Sequence, residues 1–292
     1  MSRRARHHTA VLAIAIDYGQ TSAHRFLGSL RHHAAYKDDI VLFVSANENN
    51  RTIRTMESYR ATIRRWPTQS IDRTACCITM ANTCAAGSYR VCLLTDYRDV
   101  FFQRHPFERY PASADLVFAN EKADLTVGSE PSNLRWARRC LGPIAMVFGL
   151  PGRLAAQSIA CSGTIMGTGT ALRALAIQMR QVEHELPWCR SADWAMLDQA
   201  LLNVIVFRLA YEPHRLPHLA GCRTLQQEQG GGGPMNTIGS VVPVPRSSSG
   251  EVIESDGNTA SAVVHQYDRH PELTPFVDKL VRSAADASPG DR

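Results

Sequence analysis

Over the first hundred residues, short apolar runs that end in charged or polar turns alternate with segments of helical period. Ala10 to Ile16 is apolar throughout and gives way to Asp17. A run of this length without helical period suits a strand buried on both faces of a parallel sheet. Thr21 or Ser22 can cap a following helix, in which Ala23, Phe26, Leu27, Leu30 and Ala34 recur at helical spacing. Asp39 to Ser45 supplies the next strand and closes a βαβ unit, which favours a right-handed crossover. Ile53, Met56 and Ile63 give a weak helical face broken by Pro67, and Thr74 to Ala86 predicts a helix stopped by Gly87. Val91 to Thr95 is another buried strand, and charge arrives at its end with Asp96, Arg98 and Asp99.

Beyond Phe107, Leu116 to Phe118 predicts a short strand ending near Glu121, and Asn133 to Cys140 an arginine-rich helix. Ser158 to Thr170 is a strand running into a Ser-Gly-Thr turn, and Ala171 to Glu185 and Asp193 to Phe207 have helical character. Residues 208 to 250 hold prolines, the run Gly230 to Gly233 and a Ser-rich stretch, and read as loop or insertion with little fixed structure. Glu251 to Glu254 reads as a strand followed by a turn, Ala262 to Leu273 begins as another, and the tail from Ser283 is small and polar. The pattern divides the chain into a basic extension (1–9), a nucleotide-binding half (10–107), a second half (108–273) and a carboxyl-terminal tail (274–292). The fold class is α/β, a single domain with a mostly parallel central sheet.

At 292 residues with 44% apolar content, the chain can bury a substantial core. Its net charge of +5 is modest and dispersed. That suits an anionic small molecule and gives no groove for nucleic acid. The eight cysteines lack metal-ribbon spacing, and Cys92 and Cys161 sit within apolar runs as small buried hydrophobes, which predicts a reducing compartment. Arg3, Arg4 and Arg6 precede an apolar run too short for a secretory signal, and no stretch reaches the length of a bilayer-spanning helix.

The chemistry is concentrated in three stretches. Asp96 and Asp99, three apart at the end of a strand, can hold a hard divalent cation that also takes phosphate oxygens, or they form a solvated turn neutralised by Arg98. Ser162, Gly163 and Thr164 offer hydroxyls and close backbone approach. Downstream, Asp198, Gln199 and Asn203 form a polar group on a helix, although the first two point about 100° apart. His265 follows Val263-Val264, with Asp268 and Arg269 close behind. Each group also reads singly as capping, hydrogen bonding or surface charge.

Together and in this order, the acidic turn before Pro106-Phe107, the Ser-Gly loop, the Asp-Gln…Asn helix and the late histidine resemble GT-A-type glycosyltransferases. Asp99 takes the place of the second aspartate of that family's DxD motif; the first falls on Tyr97, with the carboxylate here at Asp96. The resemblance implies a Rossmann-like nucleotide-sugar half fused to an acceptor half. It implies an enzyme moving a sugar from a nucleotide diphosphate, a uridine nucleotide by analogy, to a hydroxyl of a glycan, protein or small molecule, with a retaining outcome favoured. Asp96, Asp99 and His265 would bind Mn²⁺ or Mg²⁺. Asp198 and Gln199 would act at the reacting centre, while Asp17, Arg98, Ser162, Gly163, Thr164, Asn203 and Arg269 would contact donor or acceptor. Many eukaryotic members carry an amino-terminal anchor that is not evident here, so the expected location is cytoplasmic, unless the chain is a fragment. Two other functions remain open: a metal-dependent phosphoesterase or sugar nucleotidyltransferase, and a non-catalytic nucleotide-sugar-binding protein of the same fold.

Overall fold

Strand β1 (Thr9–Ile14) forms where the first apolar run predicts it, and its side chains feed two cores: Ala10 and Leu12 one, Val11 and Ala13 the other. The computed structural model describes residues 8–66, 72–121, 124–189, 197–227, 231–239 and 243–286. After β1, helix α1 (Gln20–Ala23) runs on as a π-helical segment, His24–His33, followed by β2 (Asp39–Ser45), α2 (Asn50–Ser58) and β3 (Thr62–Trp66). Next come α3 (Arg73–Ala86), β4 (Val91–Asp96), β5 (Val100–Phe102) and β6 (Leu116–Asn120). Helices α4 (Pro131–Leu141), α5 (Pro143–Phe148) and α6 (Gly152–Ala155) lead to β7 (Ala160–Gly167) and α7 (Gly169–Glu185). The described chain ends with α8 (Leu197–Tyr211), β8 (Thr224–Gln227), β9 (Met235–Thr237), β10 (Val263–His265) and α9 (Thr274–Asp286).

Seven strands make the central sheet in the order β3-β2-β1-β4-β7-β6-β8. All neighbours pair parallel except β7, which runs antiparallel to β4 and β6. Both faces are covered, as a mostly parallel sheet requires. Cys76 and Met80 of α3, Leu172 and Leu175 of α7, and Leu201 and Ile205 of α8 fill one face. Phe26, Leu27 and Leu30 of the π-helical segment fill the other, with Phe102 and Val263 from a small second sheet, β5-β10-β9. Phe26 is fully buried against the rings of Tyr97 and Phe102, burial worth roughly 1.5–3 kcal/mol.

The structure departs from the sequence pattern in five places, one of them Glu251 to Glu254, which forms only isolated bridges to Arg246 and Ala260 in place of a strand. Ile63 belongs to β3 rather than to a helical face, because Arg60 turns the chain in the left-handed region just after α2. Residues 208 to 250 contain β8 and β9, short strands whose polar sequences carry no alternation and which form only by pairing with β6 and β10. The carboxyl-terminal tail includes α9, which docks on the π-helical segment: Val281 packs on Gly28, and Arg25 makes two bonds to the Asp278 carboxylate at 2.7 and 3.1 Å. Finally, Cys92 is joined to Cys84, and Cys140 to Cys189. Disulfides belong to oxidising surroundings, so the cysteines do not support a reducing compartment. Among the described residues no helix is long and apolar enough to cross a membrane. The start of the predicted helix from Asp193 lies outside the described residues.

Candidate metal centre

The sheet order fixes where a ligand can enter. The chain builds outward from β1 to β2 and β3, then returns to place β4 on the other side of β1. At such a reversal the connections leave β1 and β4 in opposite directions and open a crevice at their carboxyl ends. Tyr18 follows β1 into that crevice, and Asp96, Tyr97, Arg98 and Asp99 follow β4.

Asp96 ends β4, and Asp99 stands in the turn before β5. β5 pairs antiparallel with β10, with His265 opposite Val100, so the register itself brings the imidazole to the acidic turn. The backbone N–H of Gln266 donates to the Asp99 carbonyl at 2.8 Å and locks the register. His265 Nε2 lies 3.6 Å from Asp96 Oδ2 and 3.6 Å from Asp99 Oδ2. One ligand atom from each of the three residues falls within 4.8 Å of the others.

Three observations test whether this group fits a cation. The His265 ring is 2% exposed, yet its Nε2 has no hydrogen-bond partner. Its Nδ1 faces Cys161 Sγ and Thr237 Oγ1, both at 3.4 Å, the kind of second contact that orients a ligating histidine, and Nε2 is left facing the carboxylates. Gly163 lies directly beneath: a Cβ there would run into the imidazole and sit 2.8 Å from Asp96 Oδ2. Two carboxylates and one imidazole make a donor set suited to a divalent cation. The residues fit, and they can hold a metal ion.

The charges around the group are balanced by its neighbours. Burial alone would push the Asp96 carboxyl up, but Arg73 and His265 outweigh it and hold it below the usual range. Asp99 is pushed up, chiefly by burial and further by Asp96, despite His265. Burial works against a charged His265, and the Cys161 sulfur with the two carboxylates outweighs it, so the imidazole is raised well above its ordinary value.

The cleft wall beyond the acidic group comes from β6, β7 and α8. Ser162, Gly163 and Gln199 line it. Gln199 donates to Glu121 Oε2 at 2.7 Å and to Asn133 Oδ1 at 3.0 Å, while its own carbonyl oxygen lies 3.4 Å from Ser162 N and Oγ. Asp198 is buried behind this wall, 4.0 Å from Arg73 Nη1, which also lies 3.5 Å from Asp96 Oδ1. The angular separation of Asp198 and Gln199 thus turns one toward Arg73 and the other toward Glu121 and Asn133. At the mouth, Arg98 pairs with Asp268 at 2.9 Å and Arg269 with Glu121 at 3.6 Å.

Besides Asp198 behind it, three residues of the predicted set do not reach the cleft wall. Asp17 is exposed in a left-handed turn (φ 60°), and Tyr18 takes the wall position instead. Thr164 is fully buried inside β7. Asn203 is a structural clamp: it accepts from Ala160 N at 2.9 Å and donates to the Ala160 and Gln199 carbonyls at 3.0 and 2.9 Å, tying β7 to α8. Conversely, Arg73, Glu121, Trp136 and Gln266 line the cleft without having been singled out. Glu121 repeats the strand-then-acid signature of Asp17 and Asp96 and was findable on that ground. Arg73 carried no such signal, since only the packing of α3 turns its guanidinium toward Asp96. No protein-family model matches the chain, and no curated protein matches it.

Proposed function

We propose that this chain is a metal-dependent glycosyltransferase of GT-A type, moving a sugar from a nucleotide diphosphate to a hydroxyl acceptor. The observation that carries the reading is the meeting of Asp96, Asp99 and His265 at the crevice between β1 and β4. A divalent ion held there, Mn²⁺ favoured by the imidazole, would supply positive charge to the diphosphate oxygens as the leaving group departs.

The chain's own residues divide the remaining work. Tyr18 offers a ring face beside the crevice for a uridine base, with Arg98 Cζ 6.0 Å from the ring centroid. Arg73, fixed between Asp96 and Asp198, brings a permanent cation to the phosphate side. Ser162, Gly163 and Gln199 border the space for the sugar, with Gln199 held in place by Glu121 and Asn133. Asp198 acts by holding Arg73 rather than by touching the sugar. Trp136 and Arg269 lie on the wall left for an acceptor.

The test is titration of a panel of nucleotide sugars with and without Mn²⁺, read by calorimetry and by release of nucleoside diphosphate with and without hydroxyl acceptors. Metal-dependent binding of one uridine-diphosphate sugar, with acceptor-stimulated release, is expected. Release of nucleoside monophosphate would make the protein a phosphoesterase, and net synthesis of a nucleotide sugar a nucleotidyltransferase. Tight metal-dependent binding with no turnover would make it a binding protein. Absence of binding across the panel would overturn the reading.

A further inference from the structure

From Pro131 to Val182 the chain has six arginines and no aspartate or glutamate. In the middle of this stretch α5 stands off the body of the protein. Its Ala145 is buried, whereas Ile144, Met146, Val147 and Phe148 are 76%, 62%, 74% and 84% exposed. At about 100° per residue, these four side chains cover about 200° of the helix circumference. At the base of α5, the half-exposed Trp188 packs against Gly142, and the Cys140–Cys189 disulfide ties α4 to the turn that carries this tryptophan. Arg135 and Arg139 precede the apolar segment on α4 and Arg153 follows it, all three exposed.

We propose that α5, with Trp188 beside it, is a membrane-surface anchor that inserts among the headgroups of an anionic lipid layer. The width of the apolar arc separates this from docking on another protein. A protein groove covers one face of a short helix, whereas fluid acyl chains can surround all of it. Charge points the same way: exposed arginines flank the apolar tip with no acidic residue in the segment to repel phosphate, the combination that holds interfacial helices on anionic bilayers. An indole at the base of the inserted tip sits at the depth tryptophan favours in a bilayer. Helix α4, whose Trp136 lines the cleft, leads straight into α5, so an anchored tip holds the cleft close to the lipid surface.

The experiment is co-sedimentation of the full chain with vesicles of phosphatidylcholine alone or mixed with phosphatidylserine, at low and high salt, together with tryptophan emission. Sedimentation with the mixed vesicles, weakening as salt rises, and a blue shift that Trp188→Phe removes are expected. The double variant Val147→Ser, Phe148→Ser should lower the vesicle partition coefficient about tenfold or more. It should keep the wild-type circular dichroism spectrum, because both side chains are exposed. Arg135→Gln with Arg139→Gln should weaken binding to the mixed vesicles only. The proposal falls if the wild type sediments with neither vesicle or if the double variant binds as the wild type does. It falls equally if the wild type is a dimer in solution that the double variant dissolves while neither protein binds lipid.

Discussion

His265 Nε2 and Asp99 Oδ2 stand 3.6 Å apart, one from β10 and the other from the turn before β5. The distance is too long for a hydrogen bond and right for two atoms sharing a third partner. His265→Asn or Asp99→Asn should therefore weaken Mn²⁺ binding about 100-fold or more. Calorimetric titration with the metal checks this, and an unchanged affinity in both variants would remove the metal role.

Gly163 is a cleft residue whose lack of a side chain makes room for the centre. A methyl group there meets the His265 ring and Asp96, and both are held by their own partners. Gly163→Ala should leave the protein folded but lower metal affinity about 10–100-fold by displacing the imidazole. Wild-type affinity in this variant would show that the three side chains do not act together.

Asn203 provides the contrast. Its side chain satisfies both the N–H and the carbonyl of Ala160 inside the protein. Asn203→Ala should cost about 2–4 kcal/mol in denaturant unfolding, through two buried backbone groups left unpaired, and should leave metal affinity unchanged in the folded fraction. Loss of metal binding at full stability would return Asn203 to the site.

Asp115 should set part of the acid stability. The Arg223 side chain and backbone N–H both donate to its carboxylate and hold it down at about 2, below its ordinary 3.8. A depressed carboxyl adds stability that is present above pH 3.8 and is lost as pH falls toward 2. Asp115→Asn should thus be less stable than wild type at pH 5 to 7, and the difference should shrink through this acid window. Unfolding midpoints measured across it give the comparison, and a difference that stays constant would exclude the linkage.

The two disulfides predict a thiol count. Cys76, Cys77, Cys161 and Cys222 are free, so the denatured, unreduced protein should titrate four thiols, against eight after reduction. Cys140→Ser should destabilise by about 2–4 kcal/mol, and Cys84→Ser, closing a shorter loop, by less. Eight thiols without reductant would remove both bridges.

The sequence by itself determined five strands of the central sheet, β1, β2, β4, β6 and β7, and the helices packed on it. Val91–Asp96 and Thr9–Ile14 are buried on both faces, and continuous apolar runs of that length have few other solutions. It also singled out Asp96 and Asp99, because charge at the end of a buried strand stands out against its surroundings, while His265 stood out only through the family resemblance. Tertiary structure alone decided that these three meet. The pairing of β5 with β10 joins segments far apart in sequence, and its three-residue strands carry no pattern that names a partner. The same holds for Arg73, aimed by the packing of α3, for the cysteine pairs, and for α9, whose place on Gly28 depends on a surface formed only after the sheet has assembled. Local periodicity reports which face of an element is buried, and only the folded chain reports what it is buried against.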